Sequence, residues 1–508
     1  MDSRIFRTAA MCVLAGTPAL ALAQQTADPL PQAPSAVLTE QAKKETDLGK
    51  TAGSGAVFTP ASTQQAPDGA SVEVATANPL PLSLDDAVSY GLSRNLRLKY
   101  DAATRREVDG LASSTISALI PNITLSAQSG AMEVNLAAMG FKPSLLAGVA
   151  EQFNIDPNSI SSIVKINTTG ASAAVSQELI NLPDFEVWRA VKTEKAVVDL
   201  NYLNSRGQLV TAVGTAYLQV QADQANLKNA EQQEASSKLA FEQAVDRKKS
   251  GVGTNLDALR SEVDYKQRQQ TTISSSSQLE KDVIQLNRIM GVPAEQQWVL
   301  TDTAPFAEFV DLDLQTAMST AMEHRKDFLS LEGNIDVMRR EYKAAKMERL
   351  PTLAFNGSYG FLGETTGMYH GVFNAQGTLK VPLFREAAQR GEERQVSAQL
   401  QELRDQEASI RTDIEAEIRS AMLDEQSSHD LVAVGQSKVE MTKQELSDAE
   451  DRYKSGVDDN LPVLTAEASV TEAQAELVQA LYQYNVSKLN LAQATGVVES
   501  RYRTYLGK

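Results

Sequence analysis

The residues that could support catalysis or bind a metal are few in this chain of 508 residues. Its histidines are His324, His370 and His429, and they lie in different predicted elements without the spacing of metal ligands. Cys12 is the only cysteine, and neither a catalytic serine–histidine–aspartate order nor a phosphate-binding loop stands out. The sequence therefore predicts that the protein is not an enzyme and has no metal site and no cofactor.

Carboxylates are the ionisable groups that the chain has in excess. There are 65 Asp and Glu residues against 48 Lys and Arg residues, so the net charge is −17. This balance argues against nucleic acid as a partner, because such a surface needs clustered positive charge. Asp257, Asp458 and Asp459 adjoin two glycine turns, where a ring of carboxylates would attract cations. They are equally interpretable as solvated charges at helix ends, and the sequence leaves both interpretations open.

These two turns belong to a tandem duplication. DRKKSGVGTNLDAL, from Asp246, and DRYKSGVDDNLPVL, from Asp451, agree at nine of fourteen positions, at an offset of 451 minus 246, or 205. Upstream, LDDAVSYGL is similar to LQTAMSTAM at an offset of 230. The change of offset, 230 minus 205, predicts about 25 additional residues in the first copy, between Gly130 and Val175.

Each copy predicts a helix, two strands, a long helix, a turn and a shorter helix. The leading helices are predicted over 85–119 and 314–350. The long helices are predicted from Asp184 to about Lys249 and over 386–454, without an internal proline. Helices of roughly 66 residues would span about 100 Å, which is too long for an ordinary globular domain.

The turns predict two matching helix tips. Gly251 and Gly456 stand where a left-handed residue would end each long helix. Thr254 together with Asp257 is predicted to cap the helix after the first turn, and Asn460 the helix after the second. The tips are interpretable as plain interhelical turns or as a duplicated docking surface. Beyond the glycines, the candidate docking side chains are Val252, Asn255, Leu256 and Leu259 in the first tip and Val457, Asn460, Leu461 and Leu464 in the second.

Period-two alternation of apolar and polar residues predicts the strands. Ile123 and Leu125 alternate with polar residues in the first copy, as do Leu353 and Phe355 in the second. Taken alone, this pattern fits either a transmembrane barrel or a half-buried soluble sheet.

The N-terminus predicts export. MDSRIFRTAAMCVLAGTPALALAQQ has basic residues, an apolar run and Ala21-Leu22-Ala23, which indicates a signal peptide over residues 1–23. Because Met11 precedes Cys12 where a lipoprotein signal requires a small residue, we expect no lipid anchor. Residues 24–80 are rich in Ala, Pro, Thr, Gln and Ser and are predicted to be a disordered leader.

With these motifs the chain resembles the TolC-like outer-membrane efflux proteins, the outer-membrane factors of tripartite efflux pumps and type I secretion systems. The resemblance covers roughly residues 82–498. It rests on LSLDDAV and LDLQTAM at the heads of the copies, LIPNITL and RLPTLAF at the strands, and the two KSGV turns followed by NLxxL. The domains it implies are a first repeat over 81–293, an equatorial linker over 294–313, a second repeat over 314–498 and a C-terminal tail over 499–508.

The resemblance implies a mainly α-helical fold with a transmembrane β part. It implies a homotrimer in which four strands per chain close a 12-stranded β-barrel in outer-membrane lipid, continued by a long periplasmic α-helical barrel. The tips would face a periplasmic adaptor that connects the duct to an inner-membrane pump, and substrates would pass passively to the exterior. The side chains that the resemblance places in the barrel lumen are Asn122, Thr124, Ser126, Thr352, Asn356, Gln376 and Thr378.

The chain departs from the family at the entrance. Where relatives often carry acidic residues after the second turn, this sequence has Pro462 and Thr465, so an acidic gate would be displaced to Asp257, Asp458 and Asp459. The opposing hypothesis is a structural periplasmic coiled-coil protein without a pore, which leaves the strand pairs unexplained. The sequence does not identify the substrate.

Overall fold

The computed structural model describes residues 78–135, 138, 163–302, 312–364, 367–383 and 385–507. The predicted signal peptide lies outside these ranges, as do nearly all of the leader and most of the segment that contains the additional residues of the first copy. Within the described ranges, no helix has an apolar stretch long enough to span a membrane.

The first repeat follows the predicted order of elements. A short strand precedes it, and its helices and strands alternate as helix, strand pair, long helix and return helix. The elements are β1 (Leu80–Leu82), α1 (Leu84–Arg94), α2 (Leu96–Thr115), β2 (Asn122–Asn135), β3 (Ile163–Ile180), α3 (Leu182–Lys249) and α4 (Asn255–Met290).

The second repeat has the same order. A short strand again precedes it, and a last short helix follows it. The elements are β4 (Trp298–Leu300), α5 (Leu314–His324), α6 (Lys326–Met347), β5 (Thr352–Glu364), β6 (Tyr369–Lys380), α7 (Glu386–Lys454), α8 (Leu461–Ala494) and α9 (Val498–Tyr505). β4 lies within residues 294–313, and most of α9 lies within residues 499–508.

The long helices α3 and α7 organise the helical part. They contain 68 and 69 residues, which corresponds to about 100 Å each. One half of α3 packs against α4 and the other against α2 and α6, while α7 packs against α8 and α6. Two shorter helices therefore match the length of one long helix, as the sequence predicts.

Each leading helix is broken, which corrects the prediction of continuous helices over 85–119 and 314–350. Asn95, between α1 and α2, has φ −57° and ψ 130°, and its side chain accepts hydrogen bonds from the amides of Arg97 and Leu98. Arg325, between α5 and α6, has φ −66° and ψ 116° and pairs with Asp327. Both residues begin a new helix in an extended conformation.

A left-handed glycine packs against each break. Gly291 ends α4 with φ 73°, and Gly496 follows α8 with φ 74°. A Cβ added to Gly291 would lie 3.0 Å from the carbonyl carbon of Arg94, and one added to Gly496 would lie 2.7 Å from the amide nitrogen of Arg325. The break and the glycine therefore form one contact, which the duplication repeats.

The main core lies around the middle of α3 and joins the two repeats. Tyr217 is buried there, and its hydroxyl lies 3.2 Å from both the carbonyl oxygen of Leu82 and the carboxylate of Asp302. The parallel pair β1–β4 lies beside this site, and the buried Leu489 and Val498 of the second repeat complete the cluster. The two copies are thus held together by shared apolar packing.

The remaining strands form one antiparallel sheet in the order β2-β3-β5-β6. Its register includes an irregularity in β3 between Glu178 and Ile180. The outermost strands, β2 and β6, contain 14 and 12 residues, and among the described residues each is paired on one side only. The sheet is therefore open at both edges in a single chain.

Candidate functional site

The two helix tips have the same backbone structure. Gly251 has φ 77° and Gly456 has φ 72°, as the sequence predicts. The amide of Gly251 donates to the Lys248 carbonyl at 3.1 Å, and the amide of Gly456 donates to the Tyr453 carbonyl at the same distance. Each glycine ends its helix by the left-handed closure that residues with a Cβ adopt reluctantly.

Apolar side chains protrude from both tips. Val252 is 79% exposed and Val457 is 67% exposed, the largest values among the apolar tip residues. Packing within one chain covers neither residue, so the tips are not closed by their own side chains. The other candidate docking residues that are exposed are Asn255, Leu256, Leu259 and Leu461, whereas Leu464 is half-buried and Asn460 is buried.

The capping prediction is confirmed for the first tip and wrong for the second. The Thr254 hydroxyl accepts from the Asp257 amide at 3.1 Å, and Asp257 accepts in return from Thr254, which forms a capping box. Asn460 makes no cap with its side chain. Instead the Leu461 amide donates to the Asp459 carboxylate at 3.1 Å. The aspartate is one residue nearer the turn and takes the capping role.

Asn460 connects the two tips. Its side-chain amide donates to the Asp257 carbonyl and to the Ser261 hydroxyl, both at 3.3 Å. The Arg247 guanidinium lies 4.7 Å from the centre of the Tyr453 ring, which is a second link between the tips. The duplicated turns therefore form one surface.

The candidate gate carboxylates all have local partners. Asp257 belongs to the capping box, and the carboxylate of Asp458 lies 2.8 Å from Arg452 Nε. The carboxylate of Asp459 lies 3.2 Å from Arg260 Nη1. Within one chain these aspartates stabilise helix ends and turns, as the helix-end interpretation expects.

The seven candidate lumen residues lie on one face of the sheet. Directly paired residues of antiparallel strands share a face, and one such row runs across all four strands through Asn122, Ser176, Asn356 and Gln376. The other four candidates lie on the same face at spacings of two residues along their strands: Thr124, Ser126, Thr352 and Thr378.

The opposite face of the sheet is apolar. Leu125, Ala173, Tyr359 and Phe373 form one of its rows. Leu125 is 85% exposed and Phe373 is 72% exposed, and no helix of the described chain covers them. An uncovered sheet face of this composition requires an apolar environment that the single chain does not provide.

An acid pair with one buried member lies between α3 and α4, and sequence analysis did not single it out. Asp223 is buried, its Oδ1 accepts from the Gln219 side chain at 3.0 Å, and no donor among the described residues reaches its Oδ2. Burial raises the pKa of Asp223 to about 7, and the adjacent Asp282 carboxyl contributes. The second copy, at the offset of 205, has Ser428 and Ser487, whose hydroxyls lie 3.0 Å apart. Comparison of the two copies position by position would have found this difference.

The described geometry thus combines long helices, two linked apolar tips and a two-faced open sheet. The model of the family described as "Outer membrane efflux protein" matches residues 88–292 and 317–497. The chain belongs to the outer membrane efflux protein family.

Individual relatives are distant. The alkaline protease secretion protein AprF of Pseudomonas aeruginosa is 22% identical over 343 residues, which cover 65% of this chain and 70% of that protein. The outer membrane protein TolC of Vibrio cholerae is 23% identical over 335 residues, which cover 64% and 76%. The CmeC outer membrane channel of Campylobacter jejuni has a similar fold, with a TM-score of 0.70, 16% identity, and coverage of 82% and 86%.

These findings establish the class of the protein. It is a TolC-like outer-membrane duct of the efflux and secretion type, located in the cell outer membrane with a large periplasmic portion. The fold is mainly α-helical with a smaller β part, as the sequence predicts.

Proposed function

We propose that three copies of the chain close a 12-stranded β-barrel in the outer membrane, continued by a periplasmic α-helical barrel. The trimer would be the passive exit duct of a tripartite efflux pump or a type I secretion system, without enzymatic activity. The observation that carries this proposal is the four-stranded sheet with an apolar face, a polar face and two unpaired edges.

The open edges favour a closed assembly. The edge strands β2 and β6 have 14 and 12 residues, and their outward amide and carbonyl groups lack partners within the sheet. In lipid each such group costs several kcal/mol, so four strands alone would be strongly unfavourable there. Pairing β6 of one copy with β2 of the next would satisfy these groups, and three copies supply twelve strands.

The two faces fix the orientation of the sheet in that barrel. Leu125 and Phe373 would face lipid, because their exposed apolar surface is stable there. Asn122, Asn356 and Gln376 would face the water-filled lumen, where their amides remain hydrated. The same polarity excludes the reverse orientation, which would bury three amides per chain in hydrocarbon.

The tips would bind a periplasmic adaptor, and through it the inner-membrane pump. Their exposed apolar side chains, led by Val252 and Val457, offer a surface that is stabilised when a partner covers it. The link from Asn460 to the first tip gives the docking surface a fixed shape. The substrate remains open, because AprF is named for protease secretion whereas CmeC is described only as a channel.

An acidic entrance is a further part of the proposal. Three copies of Asp257, Asp458 and Asp459 would favour cation flow if the tips converge in the trimer. Replacing all three with Asn should then lower cation selectivity and weaken block by trivalent cations in planar bilayers. Unchanged selectivity and block would assign these aspartates to helix-end stabilisation alone.

A matched pair of variants tests the barrel itself. Leu125 and Thr124 are neighbours on β2 and lie on opposite faces. Leu125→Lys would place a charge in lipid three residues after the start of β2, at a cost of roughly 1–2 kcal/mol between the interface and mid-plane values, and should reduce membrane-inserted trimer. Thr124→Lys would place the same charge in the lumen and should preserve trimer while lowering cation conductance.

The measurements are native mass spectrometry of detergent-extracted protein and single-channel recording. The wild type should give a trimer with steady conductance. A stable monomer, or a protein that salt washing releases from membranes, would support the pore-free periplasmic coiled-coil protein instead. Equal effects of the two lysine variants would contradict the assigned faces.

A further inference from the structure

A basic groove lies at the junction between the helices and the sheet in the second repeat. It runs between the end of α6 and the start of α7 and is lined by five arginines against two glutamates, an excess of three positive charges in a chain of net charge −17. Its arginines are Arg339, Arg349, Arg390, Arg394 and Arg404.

The glutamates of the groove satisfy only part of this charge. Glu386 accepts from Arg390 Nε at 2.7 Å, and Glu393 accepts from Arg349 Nη2 at 2.9 Å. Arg349 Nε lies 3.5 Å from the Glu386 carboxylate, and Arg339 pairs with Asp336. Among the described residues, Arg394 and Arg404 form no ion pair. The groove therefore has unused donors for an anion.

The end of the groove formed by Arg349, Arg390 and Arg394 lies close to the level at which the sheet begins. Arg349 precedes the first residue of β5, Thr352, by three positions, so it lies within roughly 10 Å of the sheet. In the proposed barrel this level is the periplasmic surface of the outer membrane.

The duplication indicates which side of the helices the groove faces. At offsets of 230 and 205, Arg349, Arg390 and Glu393 correspond to Leu119, Phe185 and Trp188. These three residues line the equivalent groove of the first repeat, between α2 and α3, which is mainly apolar and aromatic and has no arginine in its lining. The two grooves are therefore the same surface in the two copies, with different chemistry.

The apolar groove is continuous with the apolar face of the sheet. Ile180 lines it and pairs with Leu353, which lies on the apolar face opposite Leu379. Lys192 and Arg189 lie 5.8 Å from the rings of Trp188 and Phe185, respectively. Aromatic rings beside cations are typical of the membrane–water interface. By equivalence, the basic groove faces the same lipid surface.

We propose that the basic groove binds the phosphate group of an anionic phospholipid in the periplasmic leaflet of the outer membrane. Guanidinium groups bind phosphate oxygens in a bidentate manner, and basic pockets beside membrane-spanning elements recognise anionic headgroups. This inference rests on the barrel orientation proposed above.

The test compares lipid retention by charge-matched variants. Native mass spectrometry of the detergent-extracted trimer, titrated with phosphatidylglycerol, cardiolipin or phosphatidylethanolamine, measures the bound fraction. Arg390→Gln combined with Arg394→Gln, which removes two neighbouring arginines of the first turns of α7, should weaken binding of the two anionic lipids roughly 10- to 30-fold. The control, Arg411→Gln combined with Arg419→Gln, removes two arginines farther along α7 that pair with Glu407 and Glu415, and should leave binding unchanged.

Several results would overturn the proposal. One is equal retention of lipid by both double variants and the wild type, and another is equal retention of phosphatidylethanolamine and phosphatidylglycerol. A third is displacement of the lipid by millimolar inorganic phosphate, which would assign the groove to a soluble anion. Absence of a wild-type trimer would instead contradict the proposed barrel, so the two failures are distinguishable.

Discussion

The acid pair of the first repeat predicts that stability depends on pH. Asp223 on α3 and Asp282 on α4 lie where the second repeat has Ser428 and Ser487. The folded state favours the protonated carboxyl of Asp223, because burial and the neighbouring carboxyl both disfavour its charge. Tyr482 on α8 is the third titratable group beside the pair. Asp223→Ser installs the residue that the same backbone already accommodates in the other copy.

The sign and size of the effect follow from the pKa of Asp223. A carboxyl whose pKa rises from 3.8 to about 7 on folding binds a proton more tightly in the folded state, so stability falls as pH rises from about 4 to about 7 and is level above 7. Two pH units within this window set an upper limit of roughly 3 kcal/mol per chain. Because the Asp282 carboxyl is only half-buried, screening by water should reduce this contribution to roughly 1–2 kcal/mol.

The assay is guanidinium unfolding of the purified protein at pH 5, 6, 7 and 8. The wild type should lose stability between pH 5 and 7, whereas Asp223→Ser should lose much less and be the more stable protein at pH 8. The matched control is Asp405→Ser, because Asp405 also accepts from a glutamine four residues earlier, at 2.9 Å, but is exposed. Identical pH slopes in the wild type and Asp223→Ser would refute the buried-pair argument.

Further variants test individual contacts through the same unfolding midpoint. Gly496→Ala should destabilise by at least about 2 kcal/mol, because φ is 74° and the new Cβ would lie 2.7 Å from the Arg325 amide nitrogen. Gly110→Ala, within α2 and with open space around it, should instead stabilise by up to about 1 kcal/mol. Tyr502→Phe should cost roughly 1–2 kcal/mol, because its hydroxyl donates to the Asp85 carboxylate at 2.6 Å. A neutral result for Gly496→Ala or Tyr502→Phe would contradict the contact concerned.

The long helices were predictable to within two residues because local chemistry determines their ends. Asn181 caps the start of α3 and Pro183 lies in its first turn, and the glycine turns end both α3 and α7. The break at Arg325 was not predictable, since arginine is not a helix-capping residue, whereas Asn95 is a preferred N-cap whose local signal the prediction of one continuous helix missed. Their conformation depends on the distant Gly291 and Gly496, whose contacts only the folded chain reveals.

In the candidate site, too, the features that local sequence determines were predictable and those that depend on long-range contacts were not. The faces of the strands follow from period two, so the polar and apolar faces of the sheet were predictable from residues such as Thr124 and Leu125. The role of Asn460 was not, because its amide is used by the other tip, whose carbonyl at Asp257 lies 203 positions away in sequence. Long-range partners of this kind leave no local pattern.

The two repeats also separate what the fold requires from what it merely permits. Ser428 and Ser487 show that the backbone at this level is stable with a neutral hydroxyl pair. Asp223 and Asp282 occupy the equivalent site with charge that burial disfavours, so packing alone gives no reason for them. The same argument applies to the basic groove, whose counterpart around Trp188 is mainly apolar and lacks arginine. A difference between copies that share one backbone cannot come from the demands of that backbone. Such differences therefore indicate positions where one repeat has chemistry that the other lacks. Replacing a residue at such a position with its counterpart from the other repeat is the least disruptive way to test its role.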